Sequence, residues 1–353
     1  MNQRSTTMPT RTIGIDLGDR ESAYCVVNEA GEILEESSVQ TERSALEDRF
    51  GSELPARIVI EASGQSQWIC RCLEGLGHEV IVANPRQVLL ISKSSRKTDR
   101  NDAELLARLG RMDPELLCPV VTRSEESSTV RALLRARSQL VTTRTRLVNL
   151  VRCETKVTGN RIPTCSAESF HRQARPHLPD ALRSALEPVL DVLAELQLRV
   201  RAYDKEIDKL SAEEYPETQV LRQVAGVGPL VALTYVVTID NPRRFSRSRT
   251  LGSFLGLAPR SFQSGERNPQ LRISKAGDSE MRRLLVGAAS YVLRKASPEC
   301  DLKRYGTRIA RGGSKRDRAR ARVAVARKLA VLLHRLWLTG QVYDPDYAAK
   351  QAA

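Results

Sequence analysis

Four acidic residues in the first third of the chain have the types and positions that metal-dependent chemistry requires. Asp16 ends the apolar run Ile-Gly-Ile-Asp, and Glu61 ends the apolar segment Arg-Ile-Val-Ile-Glu. Asp99 and Asp102 are spaced to share one face of a helix. Mg²⁺ prefers oxygen ligands, and two-metal phosphoryl transfer needs several carboxylates to converge. Taken singly, Asp16 is also typical of a turn, and the pair Asp99 and Asp102 is also typical of a helix N-terminus. The prediction of a metal site therefore depends on all four residues together.

The charge balance favours a polyanionic partner. The chain of 353 residues has 56 Lys and Arg against 42 Asp and Glu, a net charge of +14. Such a surplus is typical of nucleic-acid binding. An anionic membrane is the rival partner, but no apolar run approaches the roughly 20 residues that a span needs. In a basic protein, an acidic cluster makes most sense as a metal site beside a phosphate backbone.

Composition also limits the number of domains and the cellular compartment that we expect. A hydrophobic fraction of 41% is enough for two or three domains. The first ten residues lack the apolar stretch of a signal peptide. The 7 cysteines and 4 histidines show no zinc-ligand spacing, so we expect reduced thiols in a cytoplasmic protein.

The acidic residues must be positioned by a sheet and its helices. Residues 12–111 alternate strand-like and helix-like patterns in the order βββαβαβα, which predicts a mixed sheet flanked by helices. The expected segments are strands at Thr12–Leu17, Ala23–Val27 and from Ile33, a helix at Ser44–Phe50, a strand at Arg57–Glu61, a helix at Gln65–Leu76 and a strand at Val80–Ala83.

The middle of the chain predicts two long helices. Apolar pairs recur every seven residues between Ser124 and Val151. A second stretch has a 4-3 apolar alternation typical of a coiled-coil seam: Leu182, Leu186, Val189, Leu193, Leu196, Val200, Tyr203, Ile207 and Leu210. This indicates an antiparallel helical stalk, a helix-mediated subunit contact or both, with an ordinary helical bundle as the alternative. Pro188 either kinks the second helix or starts it. Residues 155–180 are expected to form an irregular link.

The sheet pattern and its acidic residues resemble a known family. The segments IGIDLG, VIEASG, NPRQV and KTDRNDA resemble the signatures of the RuvC-like domain in DEDD insertion-sequence transposases of the IS110 class, which includes the Piv-type DNA invertases. The resemblance implies a ribonuclease-H-like α/β fold for the N-terminal domain. It also implies that Asp16, Glu61, Asp99 and Asp102 are a catalytic tetrad that holds one or two Mg²⁺ ions.

A second block of the sequence carries the resemblance further. Residues 251–290 are similar to the family's serine domain, with Leu-Gly-Leu-Ala-Pro-Arg, a Ser-Gly pair and Ile-Ser-Lys-Ala-Gly. The family's nucleophile corresponds to Ser264, beside Gly265, and Ser261 remains an alternative. From the residues alone, a serine beside glycine is usually a turn residue.

Candidate nucleic-acid contacts surround the serine block. The segment before it resembles a helix-hairpin-helix, whose glycine turn would point backbone N–H groups at a phosphate. Arg316, Arg318, Arg320 and Arg322 would neutralise phosphates from a basic tail. Each basic residue, taken singly, could equally belong to a solvated face. The candidate contacts are Gly226, Gly228, Arg260, Arg267, Arg272, Lys275, Arg282 and Arg283.

The resemblance implies four regions and a set of partners. The regions are a RuvC-like domain at 11–115, a helical coiled-coil stalk at 116–214, a mainly α-helical transposase domain with the helix-hairpin-helix at 215–300 and a basic helical tail at 301–353. The implied partners are double-stranded DNA at element ends and targets, further copies of the chain in a dimer or tetramer, and the structured guide (bridge) RNA that some members use. In such an enzyme a serine–phosphate intermediate joins DNA, the carboxylates of one subunit assist the serine of another, and the protein is nucleoid-associated when bound to DNA.

Three other functions compete with DNA recombination. A Holliday-junction-type nuclease would use the acidic tetrad and water without a serine. An actin-like ATPase or sugar kinase shares a motif like Ile-Gly-Ile-Asp-Leu-Gly, but its second phosphate loop and adenosine site are missing from the sequence. A non-catalytic DNA-bridging protein would need only the stalk and the basic tail.

Overall fold

The chain divides into two compact units, Met1–Arg123 and Ser124–Ala353. The computed structural model describes residues 10–85, 98–260, 262, 271–347 and 350. Ser261, Ser264, Gly265 and Arg267 lie outside these ranges, as does most of the NPRQV motif. The division into four regions stays a prediction.

The first unit is built on a mixed sheet of five strands in the order β3-β2-β1-β4-β5. β1 pairs antiparallel with β2 and parallel with β4, β2 pairs antiparallel with β3, and β4 pairs parallel with β5. The order of strands and helices predicted from the sequence is confirmed, and this architecture fits a ribonuclease-H-like domain. The strands are β1 Arg11–Asp16, β2 Glu21–Asn28, β3 Ile33–Gln40, β4 Arg57–Glu61 and β5 Glu79–Ala83.

Helices cover both faces of this sheet. They are α1 Arg43–Phe50, α2 Ser66–Gly75 and α3 Asp99–Met112. Because side chains alternate along a strand, Ile58 and Ile60 pack in the core shared with α1 and α2, whereas Val59 packs against Leu106 and Leu109 of α3. The sheet therefore has one face toward α1 and α2 and the opposite face toward α3.

The second unit is helical in its described residues. Its largest core joins α7, α8, α10, α11 and α12 around fully buried residues such as Tyr235, Leu285 and Leu329. The α-helices are α4 Glu125–Val157, α5 Phe170–Ala174, α6 Asp180–Glu213, α7 Glu217–Leu221, α8 Pro229–Ile239, α9 Leu251–Phe254, α10 Ser279–Val292, α11 Asp301–Ile309 and α12 Lys315–Thr339.

The two longest helices form an antiparallel pair. Val148 and Val151 near the end of α4 pack against Leu190 in the first half of α6, whereas Leu134 near the start of α4 packs against Ile207 near the end of α6. The antiparallel arrangement predicted for this region is therefore observed. The coiled-coil geometry stays a prediction.

The buried positions of α6 differ in part from the predicted seam. Leu186, Leu193, Val200 and Ile207 are buried as predicted. Leu182, Val189, Leu196 and Tyr203 are only partly buried. Gln197, the next residue, is buried instead of Leu196. The reason is polar pairing: Gln197 accepts a hydrogen bond from the buried Arg144, and Asp204, which follows Tyr203, pairs with Arg137 at 2.8 Å.

Two details of the predicted link differ as well. α6 begins at Asp180, so of the two alternatives for Pro188 a helix start is excluded, and the proline lies inside the helix. The link between α4 and α6 contains the short helix α5 and a 3₁₀ turn at Arg175–His177. All seven cysteines are free thiols, as expected. Within the described ranges, no helix has the length and apolarity required to cross a bilayer.

Candidate active site

Asp16 and Glu61 lie side by side at one end of the sheet. β1 and β4 are parallel, with Ile15 opposite Ile60, so the next residues along the two strands are Asp16 and Glu61. Adjacent strands are about 4.8 Å apart. Asp16 shares its face of β1 with Gly14, and Glu61 shares its face of β4 with Val59, which packs on α3. Both carboxylates are therefore on the face of the sheet that α3 covers.

The direction of α3 brings its first turn to the same end. A Cβ placed on Gly14 would lie 2.1 Å from the carbonyl oxygen of Ala103, so the helix rests directly on the backbone of β1. Gly110, farther along α3, faces Val59 and Thr12 near the strand starts. α3 therefore runs against β1. Asp99 lies about one turn, or 5–6 Å, before Ala103, on the side where β1 ends.

The start of α3 is fixed by a helix cap. Thr98 has an extended backbone, and its side-chain oxygen accepts a hydrogen bond from the N–H of Asn101 at 3.3 Å. Within the first turn, Asp102 is only 4% exposed, whereas Asp99 is exposed. The positive end of the helix dipole favours both carboxylates. The sequence thus places the four predicted acidic residues at one end and on one face of the sheet.

The types of the acidic side chains fit a hard cation, whereas their described positions do not by themselves form a metal site. Four carboxylates offer the oxygen ligands that Mg²⁺ prefers. In the described part of the chain, no group of three or more His, Cys, Asp or Glu side chains is arranged to hold a metal ion. Cys25, on this face, packs against Ala103 and Ala107, and burial raises the pKa of its thiol to about 11. A hard cation such as Mg²⁺ prefers carboxylate oxygens to such a thiol.

The residues on both sides of the predicted serine form a short two-stranded ribbon. Pro259 and Ile273 make an antiparallel β-bridge, and the N–H of Arg260 donates to the carbonyl of Arg272 at 3.0 Å. The ribbon continues through Ser274, whose N–H donates to the carbonyl of Ala258 at 2.9 Å. Ser264, with its alternative Ser261, belongs to the segment between Arg260 and Arg272, outside the described residues.

Two glycines of the serine block allow backbone to pack on backbone. Gly256 and Gly277 both have a positive φ, of 66° and 73°. A Cβ at Gly256 would lie 2.0 Å from the carbonyl oxygen of Ala276, and one at Gly277 would lie 2.0 Å from that of Phe254. Only glycine combines this conformation with this contact at low cost. The Leu-Gly-Leu and Lys-Ala-Gly motifs therefore hold the base of the ribbon together.

The predicted basic contacts have different surroundings. Arg260, Arg272 and Lys275 are exposed, and Arg272 and Lys275 line a groove of about 1470 Å³. Arg282 instead donates to backbone carbonyls, including those of Leu255 at 3.1 Å and Ala276 at 2.6 Å. Its guanidinium is used to bind the ribbon base to α10, which the sequence pattern did not indicate. Arg283 is exposed, and Arg267 lies outside the described residues.

The glycine turn before α8 lies on the surface near Arg283. Gly226 has a φ of 84°, Gly228 precedes α8, and the first helical residue is Pro229. Gly226, Gly228 and Arg283 line one shallow pocket of about 590 Å³. The turn is therefore accessible, but the helix-hairpin-helix assignment stays a prediction.

A buried ion pair missed by the sequence reading connects α4 to the serine block. Arg131 donates to Asp278 at 2.6 Å and to Thr238 at 3.0 Å. Asp278 also caps α10 by accepting a hydrogen bond from the N–H of Met281. Since Asp278 directly follows Gly277, the pair fixes the end of the ribbon base. The sequence signal was an arginine between the apolar residues Val130 and Leu134 of α4.

Two family models match the chain. The DEDD transposase model of the IS110 type, described as "Transposase", matches residues 13–154, and the model "Transposase IS116/IS110/IS902 family" matches residues 218–305. The chain belongs to the IS110 class of DEDD transposases. The first model spans all four acidic residues, and the second spans the serine block. Family membership makes this chain an enzyme that cleaves and rejoins DNA.

Similar proteins extend over nearly the whole chain. The transposase for insertion sequence element IS1111A of Coxiella burnetii is 28% identical over 348 residues, 97% of this chain and 93% of that protein. A probable family 20 transposase of Pseudomonas aeruginosa is 29% identical over 315 residues, 87% of this chain and 91% of that protein. The pilin gene-inverting protein of Moraxella bovis is 25% identical over 246 residues, 67% of this chain and 66% of that protein.

Proposed function

We propose that this transposase moves an insertion sequence by forming a covalent serine–DNA intermediate at Ser264, assisted by Mg²⁺ that Asp16, Glu61, Asp99 and Asp102 hold. The observation that carries the proposal is that β1, β4 and the start of α3 bring their acidic residues toward the same end of the sheet. A structural role does not require four carboxylates at one end of a sheet, because like charges repel.

The chemistry assigned to the serine is a balanced exchange of phosphate esters. The Ser264 hydroxyl loses its proton and attacks a backbone phosphorus, one P–O bond of the DNA breaks, and the departing sugar hydroxyl takes up a proton. Attack by a sugar hydroxyl of another strand reverses these steps and restores Ser264. A bound Mg²⁺ would supply positive charge to the phosphate during both displacements.

The residues of this chain supply position and charge. The bridge between Pro259 and Ile273 joins the two flanks of the serine segment. Arg272 and Lys275 next to it are exposed and can contact phosphate oxygens. The Gly226 turn and Arg283 offer a further phosphate contact at the helix-hairpin-helix. As membership of the family implies, the proposal includes a site whose acidic half and serine half come from different subunits.

We further propose a homo-oligomer, dimer or tetramer, formed in part through the pair of long helices as a coiled-coil contact. Apolar side chains on the outer surface of this pair support the idea: Leu150 and Val157 on α4 are 43% and 77% exposed, and Leu198 on α6 is 60% exposed. A guide RNA is part of the proposal through family membership, and the basic surplus can accommodate it.

The test traps the intermediate. The full chain is incubated with Mg²⁺ and a plasmid that carries the gene with its flanking DNA, and protein–DNA adducts that resist denaturation are counted. Ser264→Ala is expected to abolish the adduct, and Ser261→Ala is the matched control. Asp16→Asn and Asp102→Asn are expected to reduce adduct formation on the order of a hundredfold, because charge stabilisation of the transition state is lost.

Each competing function has its own outcome in this assay. Metal-dependent cleavage that survives both serine substitutions supports the nuclease, and loss of the adduct only in Ser261→Ala moves the nucleophile to that residue. If Asp16→Asn leaves every activity intact, the protein is a DNA-bridging factor. Saturable ATP binding without DNA supports the ATPase. Chelation by EDTA is expected to stop cleavage while DNA binding, measured in parallel, persists.

A further inference from the structure

A large groove in the second unit combines positive charge with an apolar floor. Its volume is about 1470 Å³, and its lining includes eight Lys and Arg side chains against two acidic ones. Both acidic side chains already pair with cations: Asp301 with Arg304 at 2.8 Å and Asp344 with Lys350 at 2.9 Å. The groove is therefore strongly electropositive, and its charge is complementary to an anionic chain.

Five of the eight basic side chains of the groove form one stripe along α12. Arg316, Arg320, Arg327, Lys328 and Arg335 all line it. From the first to the last, the stripe extends about 28 Å along the helix axis. Arg318 and Arg322 of the same helix do not line the groove, so the basic tail that the sequence indicated has two different faces. Only one of them belongs to the groove.

The floor of the groove offers surfaces that suit bases. Leu257, Val323 and Leu332 line it together with Tyr305, whose ring carries the ammonium group of Lys328 at 4.0 Å, so a base would stack on this ring in place of that ammonium group. Bases stack on aromatic side chains in single-strand binding proteins, while basic residues follow the backbone. A duplex keeps its bases stacked inside and presents a convex, negatively charged surface. A concave groove with an apolar floor therefore favours unpaired nucleotides.

The groove also adjoins the serine block. Pro259 and Leu271, on either side of the serine segment, line it together with Arg272 and Lys275. We propose that this groove binds an unpaired DNA strand and holds it next to the serine segment during strand exchange. The choice of DNA as the ligand rests on the proposed function, in which the strand freed by cleavage starts at the serine.

Equilibrium binding tests the groove separately from the chemistry. The full chain carrying Ser264→Ala is titrated against a fluorescent single-stranded DNA of 12 nucleotides, the matching duplex and an RNA of the same sequence, over a range of salt concentrations. Arg316→Ala with Lys328→Ala is compared with Arg318→Ala with Arg322→Ala. The two pairs remove equal charge from one helix, and only the first pair lies in the groove.

The groove pair is expected to weaken single-strand binding and to lower the salt-dependence slope by about 1.4, since each phosphate contact contributes about 0.7. Tyr305→Leu keeps the apolar volume but removes the stacking surface, and is expected to lower single-strand affinity about tenfold at an unchanged slope.

Three results overturn the proposal: an equal loss in both double variants, an unchanged affinity in Tyr305→Leu, or an equal loss for duplex and single strand. Stronger binding of the RNA than of the DNA assigns the groove to RNA instead. Since no strand cleavage is needed, these outcomes are independent of whether Ser264 forms an adduct.

Discussion

Replacing Gly14 with alanine tests whether the contact between α3 and β1 sets the geometry of the acidic residues. A Cβ at this position would lie 2.1 Å from the carbonyl oxygen of Ala103 and 2.4 Å from the backbone nitrogen of Ala107. Ordinary contacts begin at 3.4 Å or more, so the helix must move away from the strand by about 1 Å. Both obstacles are backbone atoms, which leaves no side-chain rotation as relief.

The expected cost follows from this displacement. Overpacking of a core costs about 1–3 kcal/mol, and backbone obstacles favour the upper end of that range. For a unit of this size, 3 kcal/mol lowers the melting temperature of the first transition on the order of 10 °C. The shift also moves Asp99 and Asp102 away from Asp16. A misplacement of about 1 Å reduces rates on the order of a hundredfold.

Calorimetry and the adduct assay measure these two effects. Gly75→Ala is the control, because nothing lies within 4 Å of its added Cβ and alanine is the better helix former. We expect the control to melt at or above the temperature of the parent and to form the adduct normally. If Gly14→Ala behaves like this control in both measurements, the close packing of α3 on β1 does not determine the site.

Three further predictions concern the second unit. Arg131→Met should lower the free energy of unfolding by about 3 kcal/mol in denaturant titration, because it removes the guanidinium that pairs with the largely buried Asp278 carboxylate. Adding Asp278→Asn should recover part of the loss, and no recovery would argue against the pair. Leu190→Ala, at a fully buried position, should lower the free energy of unfolding by about 2–5 kcal/mol. Leu198→Ala, at an exposed position, should lower it by less than about 0.5 kcal/mol. Equal losses in the two variants would reject the observed packing between the long helices. Burial alone would raise the pKa of Asp240, but hydrogen bonds from Ser127 and Ser124 outweigh it and lower the pKa below its usual value. The stabilisation by Asp240 should therefore be complete above the usual aspartate pKa and should fade as pH decreases through the lowered value. An Asp240→Asn protein whose stability shows the same acid dependence as the parent would refute this.

The sequence correctly predicted the structural features that depend on local sequence pattern. A strand such as Arg57–Glu61 has its observed bounds because three consecutive apolar side chains lie between two charged ones, and parallel strand ends then bring Asp16 and Glu61 together. The strand pattern needs no knowledge of distant residues. The same is true of Thr98, whose side chain caps the helix that carries Asp99.

The sequence could not predict features that depend on a distant partner. The heptad reading took apolar side chains as the seam of α6, but Gln197 is buried because Arg144 on α4 reaches it. Arg282 looked like a phosphate contact until the carbonyls around it were known. Gly14 looked like an ordinary strand residue, and only the position of α3 shows why a side chain is excluded there.

The distribution of charge separates the two halves of the proposed chemistry. Residues 1–123 contain 15 Lys and Arg against 19 Asp and Glu, whereas residues 124–353 contain 41 against 23. The whole basic surplus therefore belongs to the second unit, which is the half expected to bind DNA phosphates. The first unit is net acidic, and Asp16, Glu61, Asp99 and Asp102 would repel a phosphate backbone unless their charge were offset. The proposed divalent cation would offset it and attract the phosphate at the same time, so the electrostatics of the first unit support the proposed metal site as well as the type of its side chains does.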